Sequence, residues 1–186
     1  MKLREAPPSE RRTRVTAPDG ARSPWRFSPG PAAVAPDRQA LDLLANGAGD
    51  EGLVAQGLCP NKQVARFTIS ALGVALSGGQ HISRPRLIHL AVVRELCTVP
   101  PAVAATIPLA QRCLLTALAA GLALRQFAVA SALTMAEAQE LRVLMRASLR
   151  ARSDEHAVFR GHQVRVLPRQ EDLIVEPFPA QAGQAA

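Results

Sequence analysis

Three arginines at helical spacing, Arg142, Arg146 and Arg150, are the residues whose type and placement most readily suggest chemistry. Side chains four apart share a helix face, and like charges so placed repel by roughly 0.2–0.5 kcal/mol per pair. No Glu stands four residues before any of the three to offset that repulsion. Such a stripe offers a surface for phosphates or for an acidic partner; the plainer reading is a solvated cationic face near a helix C-terminus, where the macrodipole favours positive charge. A second candidate is Trp25 and Phe27 on either side of Arg26, a short apolar and basic island of the kind that orders when it docks on a partner.

The remaining reactive side chains form weaker patterns. Cys59-Pro60 places a thiol where a helix begins, with Lys62 close by, and the positive end of the helix dipole there would favour thiolate. The competing reading has Asn61 as the cap and Cys59 turned into the core. The histidines, at 81, 89, 156 and 162, have no zinc-helix spacing and no accompanying CxxC. Asp154-Glu155-His156 reads as a solvated turn. With no Ser-His-Asp elbow and no glycine-rich loop after a strand, no catalytic residue, cofactor or metal is expected, and the chain reads as a non-enzyme.

Leu76-Ser77-Gly78-Gly79-Gln80 matches letter for letter the signature motif of the ABC ATPases, in which this turn contacts the γ-phosphate of a nucleotide held on a partner's P-loop. The resemblance covers five residues. No GxxxxGK[ST] precedes it, and Lys62 is the only lysine after residue 2, so the phosphate cradle is missing. The expectation is a helix C-terminus closed by Gly78 or Gly79 in the left-handed conformation.

The elements that must hold these residues read as mainly α: about five helices around a central apolar helix at 107–133, a small C-terminal β-hairpin and a disordered N-terminal arm. Residues 1–36 hold seven prolines and little periodic apolar pattern, which marks the arm. The helical domain spans 37–153. It opens with a short helix closed by Gly47, then a helix from Pro60 to Leu76 with Val64, Phe67, Ala71, Leu72 and Ala75 as its core face, and a third capped by Ser83 and ended by Pro100-Pro101. The 107–133 stretch is rich in Leu and Ala, the strongest helix formers, with small residues between its leucines. Thr134 to Glu137 is a capping box opening a helix whose buried stripe is Leu141, Met145 and Leu149. From His156 the apolar residues alternate, so 154–178 reads as a hairpin and 179–186 as a frayed tail.

Composition limits the partners. The 186 residues carry a net charge of +7, but twenty arginines against only Lys2 and Lys62 fit the codon usage of a GC-rich genome as well as they fit an anionic partner. With no Tyr and one Trp, stacking platforms for nucleic acid are scarce. Three unpatterned cysteines, and an N-terminus with no apolar core of a secretory signal, fit a reducing, cytoplasmic setting. The window Leu96 to Leu124 raises membrane attachment, yet Pro100, Pro101 and Pro108 break it, and Arg112 would cost roughly 2.5–3.5 kcal/mol at its centre. The first expectation is therefore a protein-interaction or adaptor protein, an accessory subunit of a larger bacterial assembly such as a secretion or structural apparatus. The alternatives are a nucleic-acid-associated protein using the arginine stripe and a membrane-attached helical protein.

Overall fold

The computed structural model describes residues 34–100 and 105–175, so Trp25, Phe27, nearly all of the expected arm and the 179–186 tail lie outside the described residues. Within them the chain forms eight helices: α1 (Val34–Ala45), α2 (Gly49–Ala55), α3 (Lys62–Leu76), α4 (Arg84–Val93), α5 (Leu109–Ala120), α6 (Leu124–Ala130), α7 (Met135–Ser148) and α8 (Asp154–Gln163).

The start signals act as their residue types dictate. Asn61, Ser83, Thr134 and Ser153 each accept a hydrogen bond from the backbone N–H three residues on, which opens α3, α4, α7 and α8. The Thr134–Glu137 box closes in both directions, with the Thr134 N–H donating to Glu137 Oε2 at 2.7 Å.

The stops share one device. Each of the eight helices is followed by a residue in the left-handed region: Gly47, Gly57, Gly78, Glu95, Gly121, Ala132, Arg150 and Arg165. The N–H of the next residue then returns to the carbonyl five positions back, as Leu96 does to Ala91 at 2.8 Å and Val166 to Gly161 at 2.9 Å. That next residue is usually apolar, and Leu58, Leu96, Leu122, Leu133, Ala151 and Val166 all pack against the core. Leu76-Ser77-Gly78-Gly79-Gln80 is one of these stops: Gly79 donates to the Val74 carbonyl at 2.8 Å, and Ser77 Oγ bonds Gln80 on both sides.

The same device corrects the expected 107–133 helix. The chain turns at Gly121 (φ +98°), which is favourable at a left-handed stop and unfavourable in a helix interior, and so divides the run into α5 and α6. The expected hairpin at 154–178 is also overturned: no strand occurs among the described residues, and α8 occupies its first half. Ser153 caps α8, Asp154 and Glu155 sit in its first turn, and Arg160 and His162 in its last, an arrangement that matches the helix dipole. Val164 and Val166, which are among the apolar residues that alternate after His156, belong to the stop after α8.

Nor is the central helix the one expected. In α4, Leu87 to Val92 are six consecutive buried residues, a pattern open only to a helix enclosed on all sides, and α4 packs against α1, α3, α5 and α8. Its closest companion is α8, equally enclosed, with Ala157, Val158, Phe159, Gly161, His162 and Gln163 buried. α5 completes this core, whereas α6 is peripheral. The core face expected for α3 holds in part: Leu72 is buried and Val64 packs against the core, but Ala65, Ile69 and Gly73 are the other buried positions and Phe67 is exposed, with Ile82 close against Gly73.

A non-glycine residue in the left-handed region costs roughly 1–2 kcal/mol. Arg165→Gly and Glu95→Gly are therefore each expected to stabilise the fold by about 0.5–1 kcal/mol once glycine's greater freedom in the unfolded chain is subtracted. Chemical denaturation measures this, and a loss of stability in both variants would contradict the assigned helix stops.

Candidate functional site

The arginine stripe is engaged within the chain. Asp154, buried at the start of α8, receives Arg142 through Nε to Oδ1 at 3.0 Å and Nη2 to Oδ2 at 2.5 Å, and Arg146 through Nε and Nη2 to Oδ1, each at 2.8 Å. Burial alone would raise the Asp154 pKa, but the hydrogen bonds and charges of the two guanidiniums override it and hold the carboxyl below its ordinary range. The mutual repulsion of the stripe is thus neutralised by one carboxylate that ties α7 to α8. Arg150 stands apart: it is the left-handed stop after α7, exposed, with no ion pair among the described residues.

The opposite side of α7 faces outward. Ala136, Glu140, Val143 and Ala147 recur at intervals of four, three and four, and all are exposed. Leu144 beside them is 49% exposed, Val143 63%, and Val129 on the neighbouring α6 76%.

A polar site lies in the core, on residues not singled out in the sequence. His89 of α4 and His162 of α8 stack with ring centroids 5.0 Å apart and an angle of 28° between planes. His89 Nδ1 meets His162 Nε2 at 3.0 Å, and His89 Nε2 meets the Gln170 carbonyl oxygen at 2.9 Å. A carbonyl only accepts, so His89 donates from Nε2 and, when neutral, accepts at Nδ1 from the Nε2–H of His162. That leaves His162 Nδ1 as a bare lone pair, and it is buried without a hydrogen-bond partner. Such an orphaned acceptor costs roughly 1–3 kcal/mol.

Burial favours the neutral form of both rings. Burial pushes the His162 pKa down to about 3, with His89 and Arg169 adding to the fall. Burial likewise lowers His89, and Arg86 contributes, against the raising influence of the Gln170 and Glu171 contacts.

The 170–172 segment that His89 grips is also fastened to α4 by its charges. Arg94 reaches both carboxylate oxygens of Glu171 at 2.8 and 3.0 Å, and Arg86 donates to the Glu171 carbonyl at 2.5 Å. These pairs line a cleft of about 410 Å³ beside Ser77 and Gln80, where the cationic groups already have partners. A second cleft, about 380 Å³, is walled by His162, Gln163, Arg165 and Arg169.

The other sequence candidates are placed as follows. Asn61 is the α3 cap and Cys59 is buried, its Sγ 3.8 Å from Thr68 Oγ1, while Lys62 pairs with Glu51. Cys97 is buried as well, which pushes its pKa up to about 12. His156 accepts the Arg152 N–H at 3.3 Å. Among the described residues no group of three His, Cys, Asp or Glu is placed to hold a metal ion, and no helix is long and apolar enough to cross a membrane. No protein-family model, curated protein or solved structure matches the chain.

Two outcomes follow. Asp154→Asn leaves two partly buried guanidiniums without their counter-charge and is expected to cost roughly 2–4 kcal/mol in chemical denaturation, whereas a change below about 0.5 kcal/mol would deny the bridge its role. The histidines set the acid limb. Because their folded pKa values lie below the unfolded value of 6.5, the unfolded chain takes up protons first as pH falls. Stability is full above about pH 6.5 and declines toward about 3, and the depressed Asp154 adds a further loss below 3.8. A fall on the order of 3 kcal/mol between pH 7 and 4 is expected; a flat profile over that range contradicts the neutral buried pair.

Proposed function

We propose that this chain is a non-enzymatic interaction protein, an accessory or adaptor subunit of a larger assembly, and that it docks through the outer face of α7. The single observation that carries the reading is the exposed seam Ala136, Glu140, Val143 and Ala147 with Leu144 beside it, on a helix whose opposite face, Ala138 and Met145, is fully buried. Spacings of four and three are those of a helix that packs on another helix. Contiguous exposed apolar side chains rimmed by polar ones mark association surfaces.

The occupant that best fits this seam is α7 of a second copy. Charge is distributed to suit an antiparallel pair: Glu137 and Glu140 lie in the first half of the helix and Arg150 just past its end, so a two-fold axis near Val143 and Leu144 sets acid against base at both ends. A dimer built in this way presents every other surface twice, which suits a bridging subunit. The nucleic-acid alternative draws less support, since Arg142 and Arg146 already serve Asp154.

Sedimentation of the purified chain from micromolar to near-millimolar concentration tests the reading. Dimerisation is expected, with Val143→Glu and Leu144→Glu each weakening it at least about tenfold, a shift of 1.4 kcal/mol. A monomer throughout, or a dimer indifferent to both substitutions, would sink the proposal.

A further inference from the structure

We infer that α4 carries a groove for an extended acidic peptide of a partner protein, and that residues 170–175 of this chain occupy that groove as a built-in competitor. The segment lies on the protein in the manner of a bound peptide. Pro168 to Asp172 are five consecutive exposed residues, and no backbone–backbone hydrogen bond involves 168–175 among the described residues. The hydrogen bonds that hold it come from side chains of α4 and its C-terminal cap. His89 Nε2 donates to the Gln170 carbonyl at 2.9 Å and Arg86 to the Glu171 carbonyl at 2.5 Å, while Arg94 grips the Glu171 carboxylate with two donors at 2.8 and 3.0 Å.

These contacts define the ligand. Two of them read consecutive main-chain carbonyls, which any extended peptide offers, and the third is a guanidinium fork that a carboxylate satisfies with both oxygens and an amide does not. Asp172 adds a second negative charge, 3.8 Å from Arg86. Beyond it Leu173 and Val175 pack against the core while Ile174 between them is 79% exposed, the alternation of an extended chain laid on an apolar surface. The groove therefore selects a Glu, then an acid, then apolar residues at alternate positions. It shares no residue with the outer face of α7.

The occupant is held in a way that permits exchange. The Arg94 and Glu171 side chains are 38% and 48% exposed, and ion pairs in contact with water hold weakly. A segment with no backbone ladder and with solvent-exposed polar contacts opens at low cost. Beside it the cleft of about 410 Å³ runs on from Glu171 to Ser77, Gln80 and Gly121, so a partner peptide that takes the place of Glu171 has further surface to cover. The tether to α8 keeps the segment at an effective concentration of roughly a millimolar. A free peptide therefore competes when it makes more contacts than the segment does, or when the segment is weakened.

The test is a titration of the isotope-labelled full chain with the synthetic peptide Leu-Pro-Arg-Gln-Glu-Asp-Leu-Ile-Val, the sequence of 167–175, followed by amide chemical shifts. Glu171→Lys in the chain sets a cation against Arg86 and Arg94 and releases the segment; Glu171→Gln does so more gently and serves if the first variant perturbs the fold. The peptide is expected to bind the released chain about tenfold or more tighter than the unaltered chain, with shifts along α4. Adding Arg94→Gln is expected to remove that gain, and a peptide with Gln in place of its Glu is expected to bind about tenfold more weakly. Equal affinity for the released and unaltered chains, indifference to the peptide's Glu, or no shift at millimolar peptide with either variant would overturn the inference. So would a dimer that survives Val143→Glu but dissociates on Glu171→Lys, since the groove would then belong to the segment of a second copy.

Discussion

The arrangement rests on one buried contact, the hydrogen bond between His89 and His162. It joins the two helices that are enclosed on every side, and it extends through the second nitrogen of His89 to the Gln170 backbone, so that α4, α8 and the chain beyond α8 are fixed by a single line of polar atoms. Apolar packing alone would leave α4 and α8 free to slide or rotate against each other, because it has no preferred direction. Two imidazoles that must share one hydrogen at 3.0 Å admit only one register. Around this line the packing is tight: a Cβ at Gly161, one residue before His162, would stand 2.8 Å from the Leu115 side chain of α5.

Charge does the corresponding work on the outside, in a repeated form in which one acid serves two arginines. Asp50 of α2 takes Arg66 of α3 at 3.0 Å and Arg84 of α4 at 2.7 Å, while Asp154 takes Arg142 and Arg146. The 171–172 pair meets Arg94 and Arg86 in the same spirit. Some of the positive excess in the sequence is thus structural, since a carboxylate that bridges two guanidiniums leaves one uncompensated charge. Among the described residues other arginines have no such partner, including Arg112 on α5, Arg125 on α6, and Arg150, Arg165 and Arg169 at or after the ends of α7 and α8.

What was legible in the sequence was local. Caps at Ser83 and Thr134, the glycine stops at Gly47 and Gly78, and the buried stripe through Met145 and Leu149 all follow from residue type and spacing, and the chain has them. The errors arose where tertiary context reverses a residue's usual meaning. α8 looked like a strand because its inward face includes His162 and Gln163, which count as surface residues until their partners on other helices are known. Four stops use Glu, Ala or Arg where glycine would have announced them, and α5 ran on into α6 because Gly121 sits among strong helix formers. The histidine pair was missed for the same reason: His89 stands alone in an apolar run, and its partner is 73 positions away.

The most direct measurement is the protonation of the two imidazoles in the folded chain, read from long-range ¹H–¹⁵N correlation spectra between pH 5 and 8. His162 is expected to remain neutral across that range and His89 to titrate below its ordinary 6.5, each neutral ring with its hydrogen on Nε2, and His162 Nδ1 is expected to show the shift of a lone pair without a donor. Either ring titrating near 6.5, or a hydrogen on Nδ1 of either, would mean that α4 and α8 are not joined as described.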